Sequence, residues 1–239
     1  PDGFNINDEC GSTKPEKAQK AVLENCADLG ICLDGDADRV LFIDEQGKLA
    51  NGDQVIGLLA GAWMKKNLLN KSTVVATVMS NLALEHYLEK IGVSLIRTQV
   101  GDKNVSKCMN REGLNLGGEQ SGHLILSDYS NAGDGLITSL QVLSVLVESK
   151  KKASGVFNLF KPFPQSLINI DADKCNDFQK NEQIKNRLDD VQSSINSDGR
   201  ILIRRSGTEN VIRLMVEHRE KNKLQETIDT CLSILKKRS

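Results

Sequence analysis

The spacing of apolar residues divides the chain into segments of different periodicity. Apolar residues at helical spacing predict helices over residues 15–26, 53–67, 82–92, 104–112 and 133–150. Short apolar runs between them predict strands over residues 29–33, 40–44, 72–78, 93–98, 114–117 and 123–126. Strands that alternate with helices in this way predict an α/β layer with a largely parallel sheet.

The alternation stops at the segment KPFPQ, residues 161–165. After it, the pattern predicts a strand at 166–170, a helical segment at 178–191, two strands flanking RSGTEN and a closing helix at 221–237. We therefore predict a separate α+β domain that begins near Lys161.

The sequence DGDADR, residues 34–39, joins the predicted strands 29–33 and 40–44. Its three aspartates, Asp34, Asp36 and Asp38, alternate with small residues, so a tight loop can turn all three carboxylates to one side. Carboxylates held this close repel one another unless a cation lies between them, and hard oxygen ligands suit magnesium or calcium better than zinc. We predict a metal site in which Arg39 offsets surplus negative charge and binds phosphate.

Three other interpretations of this loop involve different chemistry. A calcium-binding EF-hand is excluded, because Arg39 occupies the position that needs glycine and residues 40–43 have the pattern of a strand. A phosphorylated aspartate stays open, because residues 36–40 fit a DxDxV pattern. A solvated acidic turn between two strands also stays open.

A second loop, GGEQSGH at residues 117–123, has glycines on both sides that free the backbone for a tight turn. Glu119 and Ser121 offer an acceptor and a hydroxyl suited to polyol groups, and His123 can exchange a proton near neutral pH. The alternative is a glycine-rich turn with a surface histidine.

A third loop, RRSGTENVIR at residues 204–213, combines a turn at Gly207 with arginines at both ends. The turn N–H groups can face an anion, and Arg204 and Arg213 supply positive charge, so we prefer a phosphate site. A plain hairpin turn, in which Ser206 and Glu209 pair as in a capping box, is the alternative.

Composition narrows the class of protein. The formal net charge is −1 with both signs interspersed, which argues against a nucleic-acid partner and favours small molecules. The 6 cysteines include no CxxC pair, as is typical of reduced intracellular thiols. The sequence contains no secretory signal and no apolar run that could span a bilayer, so we expect a cytoplasmic protein without a membrane partner.

In this order and spacing, DGDADR, GGEQSGH and RSGTExxIR resemble the metal, sugar and phosphate loops of the α-D-phosphohexomutase superfamily. PDGFNINDECGS at the start, VMSN at 78–81 and VGDKNV at 100–105 resemble its bacterial phosphoglucosamine mutase branch most. Lys103 and Asn104 depart from the Arg and Tyr that are more frequent there, and Asn210 departs from a common proline.

The resemblance implies an enzyme of four domains, three α/β domains and a TATA-box-binding-protein-like fourth. Residues 1–49 would be the end of domain two with the metal loop, 50–160 domain three with the sugar loop, and 161–239 domain four with the phosphate loop. Since the chain begins with PDGFNIN and not with Met, we expect that N-terminal domains are missing from it.

The resemblance also implies a role for each site residue. The three aspartates bind Mg²⁺, and Arg39 contacts the transferring phosphoryl group. Glu119 and Ser121 bind sugar hydroxyls. His123 or Lys103 transfers a proton. The phosphate that is not being transferred is bound by Arg204, Ser206, Gly207, Thr208 and Arg213.

The implied activity is interconversion of glucosamine 6-phosphate and glucosamine 1-phosphate through a phosphoserine and a bisphosphate, for UDP-N-acetylglucosamine and cell-wall synthesis. The phosphoserine loop of the superfamily, of the form SASHNP, has no counterpart in this sequence. We therefore expect the chain alone to be inactive. A phosphomannomutase or phosphoglucomutase and a non-catalytic phosphosugar-binding fragment are the alternatives. The expected partner is a hexosamine phosphate, and a homodimer is left open.

Overall fold

The computed structural model describes residues 2–175, 181–206 and 209–236, which fall into two compact units, Pro1–Lys161 and Pro162–Ser239. The helices of the first unit are α1 (Glu16–Glu24), α2 (Gly52–Lys65), α3 (Leu82–Lys90), α4 (Asp102–Glu112), α5 (Gly135–Ser149) and α6 (Ala153–Phe157). Its strands are β1 (Leu29–Leu33), β2 (Val40–Asp44), β3 (Leu49–Ala50), β4 (Thr73–Thr77), β5 (Ser94–Thr98), β6 (Leu116–Gly118) and β7 (Leu124–Leu126).

Two sheets organise the first unit. Strands β1, β2 and β3 form an antiparallel sheet in that order. The second sheet has the order β5-β4-β6-β7, in which β4 is parallel to both β5 and β6. The predicted α/β layer with a largely parallel sheet is confirmed. Strand β7 departs from it, because β6 and β7 form an antiparallel hairpin around the GGEQSGH loop.

Strand β2 is buried on both faces, which explains its unbroken apolar run. Val40 and Phe42 lie in the main core together with buried side chains of α2, β4, α5 and α6. Leu41 and Ile43, on the opposite face, pack with Val22 of α1. Alternate residues of a strand point to opposite faces, so a strand covered on both sides is apolar at every position. The aspartate loop therefore leads directly into a strand that is buried on both faces.

The second unit is an antiparallel sheet with helices. Its elements are β8 (Gln165–Asp171), α7 (Glu182–Ile195), β9 (Gly199–Arg205), β10 (Val211–His218) and α8 (Lys221–Leu235). The sheet order is β8-β10-β9, and its apolar residues pack with those of α7 and α8 in one core. This arrangement confirms the predicted α+β domain.

The observed elements differ from the predicted ones at a few places. Helix α6 and strand β3 were not predicted, since each is too short to show a period. Helix α7 begins at Glu182, and residues 178–180 of the predicted segment lie outside the described residues. The division between residues 49 and 50 stays a prediction, because both sides of it belong to one compact unit. Within the part of the chain that the structure describes, no helix is long and apolar enough to cross a bilayer.

Glu45, at the end of β2, connects the antiparallel sheet to α6. Its carboxylate accepts hydrogen bonds from the Ser154 hydroxyl, at 2.5 Å, and from the Ser154 backbone N–H, at 2.9 Å. These two bonds lower the pKa of Glu45, because they favour its charged form. A carboxyl group with a lowered pKa in the folded state stabilises that state above its unfolded pKa, and this contribution disappears as the pH falls through the folded pKa.

We predict that Glu45→Gln lowers the free energy of unfolding by about 1 kcal/mol at neutral pH, the usual worth of a hydrogen bond. The difference between the variant and the wild type should shrink on acidification, as measured by urea unfolding at a series of pH values. Glu24→Gln is the control, because Glu24 forms an exposed pair with Lys20 on α1 and such pairs contribute little. An equal loss at all pH values would contradict the assignment.

Candidate metal and sugar-binding site

The aspartate loop closes the hairpin between β1 and β2. The Asp34 N–H donates to the Arg39 carbonyl, at 3.3 Å, and the Ala37 N–H donates to the Asp34 carbonyl, at 3.2 Å. Ala37 adopts φ 59°, which lets the loop reverse within a few residues. One carboxylate oxygen each from Asp34, Asp36 and Asp38 lies within 4.8 Å of the other two. The three aspartates of the predicted metal site therefore lie together.

The environment of these carboxylates fits a hard divalent cation. The three groups offer oxygen ligands alone, which suit Mg²⁺ or Ca²⁺. Oδ1 of Asp38 is buried and has no hydrogen-bond partner among residues 2–175, 181–206 and 209–236. Buried polar atoms are almost always satisfied, so this oxygen indicates a ligand. Magnesium on these three residues stays a prediction that the donor set supports.

Arg39 contacts the aspartates mainly through its backbone. Its N–H donates to Oδ1 of Asp34, at 3.1 Å, while its Nε lies 3.9 Å from Oδ2 of the same carboxylate. The Arg39 side chain is 45% exposed. Its guanidinium is therefore accessible to an anion next to the carboxylates, as the predicted phosphoryl contact requires.

His123 is buried and contacts the aspartate loop. The residue is 6% exposed, and its Nδ1 lies 3.0 Å from Oδ2 of Asp38. A Cβ atom on Gly133 would lie 2.3 Å from His123 Nε2, so only glycine fits beside this ring. The alternative of a surface histidine is therefore wrong. The position of His123 suits a residue that orients the Asp38 carboxylate.

The GGEQSGH loop is a tight turn that contacts β2 directly. The Gly122 N–H donates to the Glu119 carbonyl, at 3.0 Å, and the Val40 N–H donates to the Gly122 carbonyl, at 3.0 Å. Gly122 has φ 94°, and a Cβ atom there would lie 2.3 Å from the Val40 carbonyl oxygen. Glycine is therefore required at this position, both for its backbone angle and for the close approach to β2.

A cavity of about 440 Å³ lies beside this turn. It is lined by Asn51, Thr77, Met79, Val100, Glu119, Gln120 and Ser121. The Glu119 carboxylate accepts from the Gly101 N–H, at 2.8 Å, and from the Ser121 hydroxyl, at 3.5 Å. The two predicted sugar-binding residues therefore share one concave surface, where their polar atoms can pair with hydroxyl groups of a ligand.

The three loops predicted to carry the chemistry do not contain Asn51, Thr77 or Met79. Asn51 accepts hydrogen bonds from the N–H groups of Asp53 and Gln54 as the N-cap of α2, so it had a sequence signal as a cap but not as a cavity residue. Met79 belongs to the VMSN segment, which carries part of the family resemblance. Lys103 is exposed on the first turn of α4, close in sequence to the Gly101 that contacts Glu119.

The third loop connects β9 and β10 in the second unit. Arg213 and Arg204 are directly paired across the two strands. Nη2 of Arg213 donates a hydrogen bond to the Glu209 carboxylate, at 2.8 Å. Nε of Arg213 is buried and has no hydrogen-bond partner in the described part of the chain. The Glu209 N–H donates to the Ser206 hydroxyl, at 3.3 Å, as the hairpin alternative expected. Gly207 and Thr208 lie outside the described residues.

Sequence profiles of one family match most of the chain. The profile of the phosphoglucomutase/phosphomannomutase α/β/α domain III matches residues 51–163, and that of the C-terminal domain of the same family matches residues 167–232. The chain belongs to the α-D-phosphohexomutase superfamily. The predicted order of a mixed α/β domain followed by a C-terminal α+β domain agrees with these two matches.

Curated relatives of this phosphohexomutase chain are phosphoglucosamine mutases. It is 50% identical to that of Zymomonas mobilis over 96% of this chain and 51% of the relative. It is 47% identical to that of Parvibaculum lavamentivorans over 98% of this chain and 52% of the relative. The chain therefore spans about half the length of the curated relatives it matches.

Solved phosphohexomutase structures share the fold. A phosphoglucomutase/phosphomannomutase family protein from Burkholderia thailandensis has a TM-score of 0.77 at 20% identity, covering 93% of this chain and 49% of that chain. The Aspergillus fumigatus N-acetylphosphoglucosamine mutase in complex with GlcNAc-6P and magnesium has a TM-score of 0.72 at 20% identity, covering 95% of this chain and 53% of that chain.

The contact between His123 and Asp38 predicts an effect on metal binding. We expect His123→Ala to weaken Mg²⁺ or Mn²⁺ binding about 10-fold or more, the usual result of removing a group that orients a metal ligand. Isothermal titration with each metal measures this. His86→Ala, on α3, is the control and should bind normally. A folded His123→Ala chain with wild-type affinity would exclude the orienting role.

The phosphate interpretation of the third loop predicts an effect of Arg213. Arg213→Ala should weaken sugar-phosphate binding by about 1.5 to 3 kcal/mol, the usual worth of a hydrogen bond to a charged group. The measurement is an NMR titration that follows the Ser206 and Glu209 amides. Arg219→Ala is the control, because Arg219 pairs with Asp198 and lies over the Phe163 ring. A plain hairpin turn predicts no phosphate-dependent shifts and no difference between Arg213→Ala and the wild type.

Proposed function

We propose that the protein is a phosphoglucosamine mutase that interconverts glucosamine 6-phosphate and glucosamine 1-phosphate, and that this chain supplies its metal, sugar and phosphate loops. One observation supports this most directly. The Asp34, Asp36 and Asp38 carboxylates lie together, and Asp38 contacts His123 of the GGEQSGH loop at 3.0 Å. The candidate metal site and the candidate sugar loop are therefore one structure.

Phosphoryl transfer depends mainly on positioning and on neutralising charge. Mg²⁺ held by the three aspartates would supply positive charge beside the phosphoryl group. The Arg39 guanidinium would contact the same group, since its side chain is accessible next to the carboxylates. In the second unit, Arg204, Ser206, Gly207, Thr208 and Arg213 would bind the phosphate that is not transferred.

Glu119 and Ser121 would orient the sugar. The bond from the Gly101 N–H to the Glu119 carboxylate, at 2.8 Å, fixes that side chain before a ligand arrives. A carboxylate oxygen has more than one acceptor site, so Glu119 can still accept from a sugar hydroxyl. Preorganisation of this kind reduces the entropy lost on binding.

We assign proton transfer to Lys103 in preference to His123. Nδ1 of His123 is directed at Asp38, and its Nε2 faces Gly133, where not even a Cβ atom would fit. Lys103 is exposed on α4, two residues after the Gly101 that contacts Glu119. Lysine is one of the side chains that transfer protons to and from reacting groups in enzymes.

The test separates binding from turnover. We expect this chain to bind glucosamine 6-phosphate in the presence of Mg²⁺ but not to convert it, even with added glucosamine 1,6-bisphosphate, since no serine here has the SASHNP context. Asp36→Asn should abolish the magnesium dependence, as measured by calorimetry. Sustained turnover by the chain would overturn the need for a separate phosphoryl carrier.

The competing hexose substrates are tested in the same experiment. Tighter binding of mannose 6-phosphate or glucose 6-phosphate than of glucosamine 6-phosphate would contradict the proposed substrate. Absence of any sugar-phosphate binding would contradict the function itself. The homodimer stays a prediction, which sedimentation of the protein measures directly.

A further inference from the structure

One buried carboxylate outside the three loops joins two walls of the cavity. Asp53, on the first turn of α2, is 1% exposed. Its Oδ2 accepts the backbone N–H of Asn81, at 2.9 Å, and the side-chain amide of Gln120, at 3.2 Å. Asn81 and Gln120 lie far apart in the sequence, so a single oxygen atom fixes the spacing between their two segments.

Both segments shape the cavity beside the sugar loop. Gln120 lines it together with its neighbours Glu119 and Ser121. Asn81 ends the VMSN segment, and Met79 of that segment also lines the cavity. The Asn81 side chain accepts a hydrogen bond from the Ala83 N–H, at 3.1 Å, at the start of α3. A displacement of either contact at Asp53 would therefore move a wall of the cavity.

We propose that Asp53 is a positioning residue, which holds the Gln120 and Asn81 segments at the spacing that admits a hexosamine phosphate. The identity of that ligand rests on the proposed function. The positioning itself is argued from the contacts of Asp53 with Asn81 and Gln120. It concerns how tightly the sugar is bound, since Asp53 is not part of the cavity lining.

The ends of α2 and α3 explain why a carboxylate suits this position. Asp53 lies in the first turn of α2 and accepts the N–H of Asn81, the N-cap of α3, so its charge is near the positive ends of two helix dipoles. Separately, the GGEQSGH loop packs directly against the first turn of α2. The Gly52 N–H donates to the Gln120 carbonyl, at 3.0 Å, and a Cβ atom on Gly52 would lie 2.0 Å from the Glu119 carbonyl oxygen.

Three variants of the full chain test the proposal. Asp53→Ala removes both bonds, whereas Asp53→Asn keeps one oxygen that can accept both of them. Asp44→Asn is the matched control. Asp44 is 3% exposed in the same unit, and its carboxylate accepts the N–H groups of Gln46, at 3.0 Å, and Lys48, at 2.9 Å, within a turn between strands.

The first measurement is glucosamine 6-phosphate affinity in the presence of Mg²⁺. We expect Asp53→Ala to weaken it about 10-fold or more, because bonds to a charged group are lost. Asp53→Asn should weaken it by less than about 3-fold, since its oxygen restores the contacts. Asp44→Asn should bind like the wild type. Magnesium binding by the aspartate loop should be unchanged in all three variants.

The second measurement needs no ligand. Amide hydrogen exchange should accelerate in Asp53→Ala, but not in Asp44→Asn, at three hydrogen-bonded N–H groups of the two segments: Asn81, Gly52 and Gly122. Unchanged exchange at all three amides would overturn the proposal, as would equal loss of affinity in the Asp44 control. If Asp53→Ala does not fold, Asp53→Asn decides: because an amide oxygen is a weaker acceptor than a carboxylate, faster exchange at the Asn81 amide supports the role, and exchange equal to that of the wild type overturns it.

The two measurements separate this inference from the proposed function. A wild-type chain that binds no glucosamine 6-phosphate would overturn the substrate assignment. Faster exchange limited to the Asp53 variants would, in that case, still support the role of Asp53 in holding the two segments.

Discussion

The candidate site depends on the close approach of the GGEQSGH loop to the end of β2. The Val40 N–H reaches the Gly122 carbonyl at 3.0 Å, and this contact places His123 within 3.0 Å of Asp38. No side chain larger than hydrogen fits at Gly122, where a Cβ atom would lie 2.3 Å from a β2 carbonyl oxygen. The glycines of this loop therefore determine whether the carboxylates and the candidate sugar-binding residues form one site.

The aspartate loop holds like charges together, and the surrounding backbone makes this arrangement tolerable. The Gly135 N–H, at the start of α5, donates to the Ala37 carbonyl at 2.8 Å, and the Arg39 N–H donates to the Asp34 carboxylate at 3.1 Å. A hairpin fixed at several points cannot relax by separating its carboxylates. Their repulsion is therefore available as binding energy for a cation, since a cation removes a strain that the fold maintains.

The local features of the candidate site can be predicted from the sequence, whereas the contacts between distant segments cannot. Strands 29–33 and 40–44 and the loop between them follow from a local apolar and acidic pattern, which the structure reproduces. The burial of His123 does not follow from such a pattern, because it depends on Gly133 and on the docking of the loop against β2. Helix α6 was not predicted for a related reason. Its five residues are too few to show a helical period, and Glu45 and core contacts hold them in place.

Under the proposed function, phosphate recognition and sugar recognition would depend on different parts of this chain. A cation held by the aspartate loop and the arginines of the third loop would contact phosphate, which every hexose phosphate offers. The cavity adds side chains from segments outside those loops, among them Thr77, Met79 and Val100. Pockets distinguish similar ligands through such shape and polarity, and a polar group left unpaired in a pocket is strongly disfavoured. Under the proposed function, discrimination between a 2-amino and a 2-hydroxy sugar would therefore depend on these lining residues, whereas phosphoryl transfer would depend on the loops.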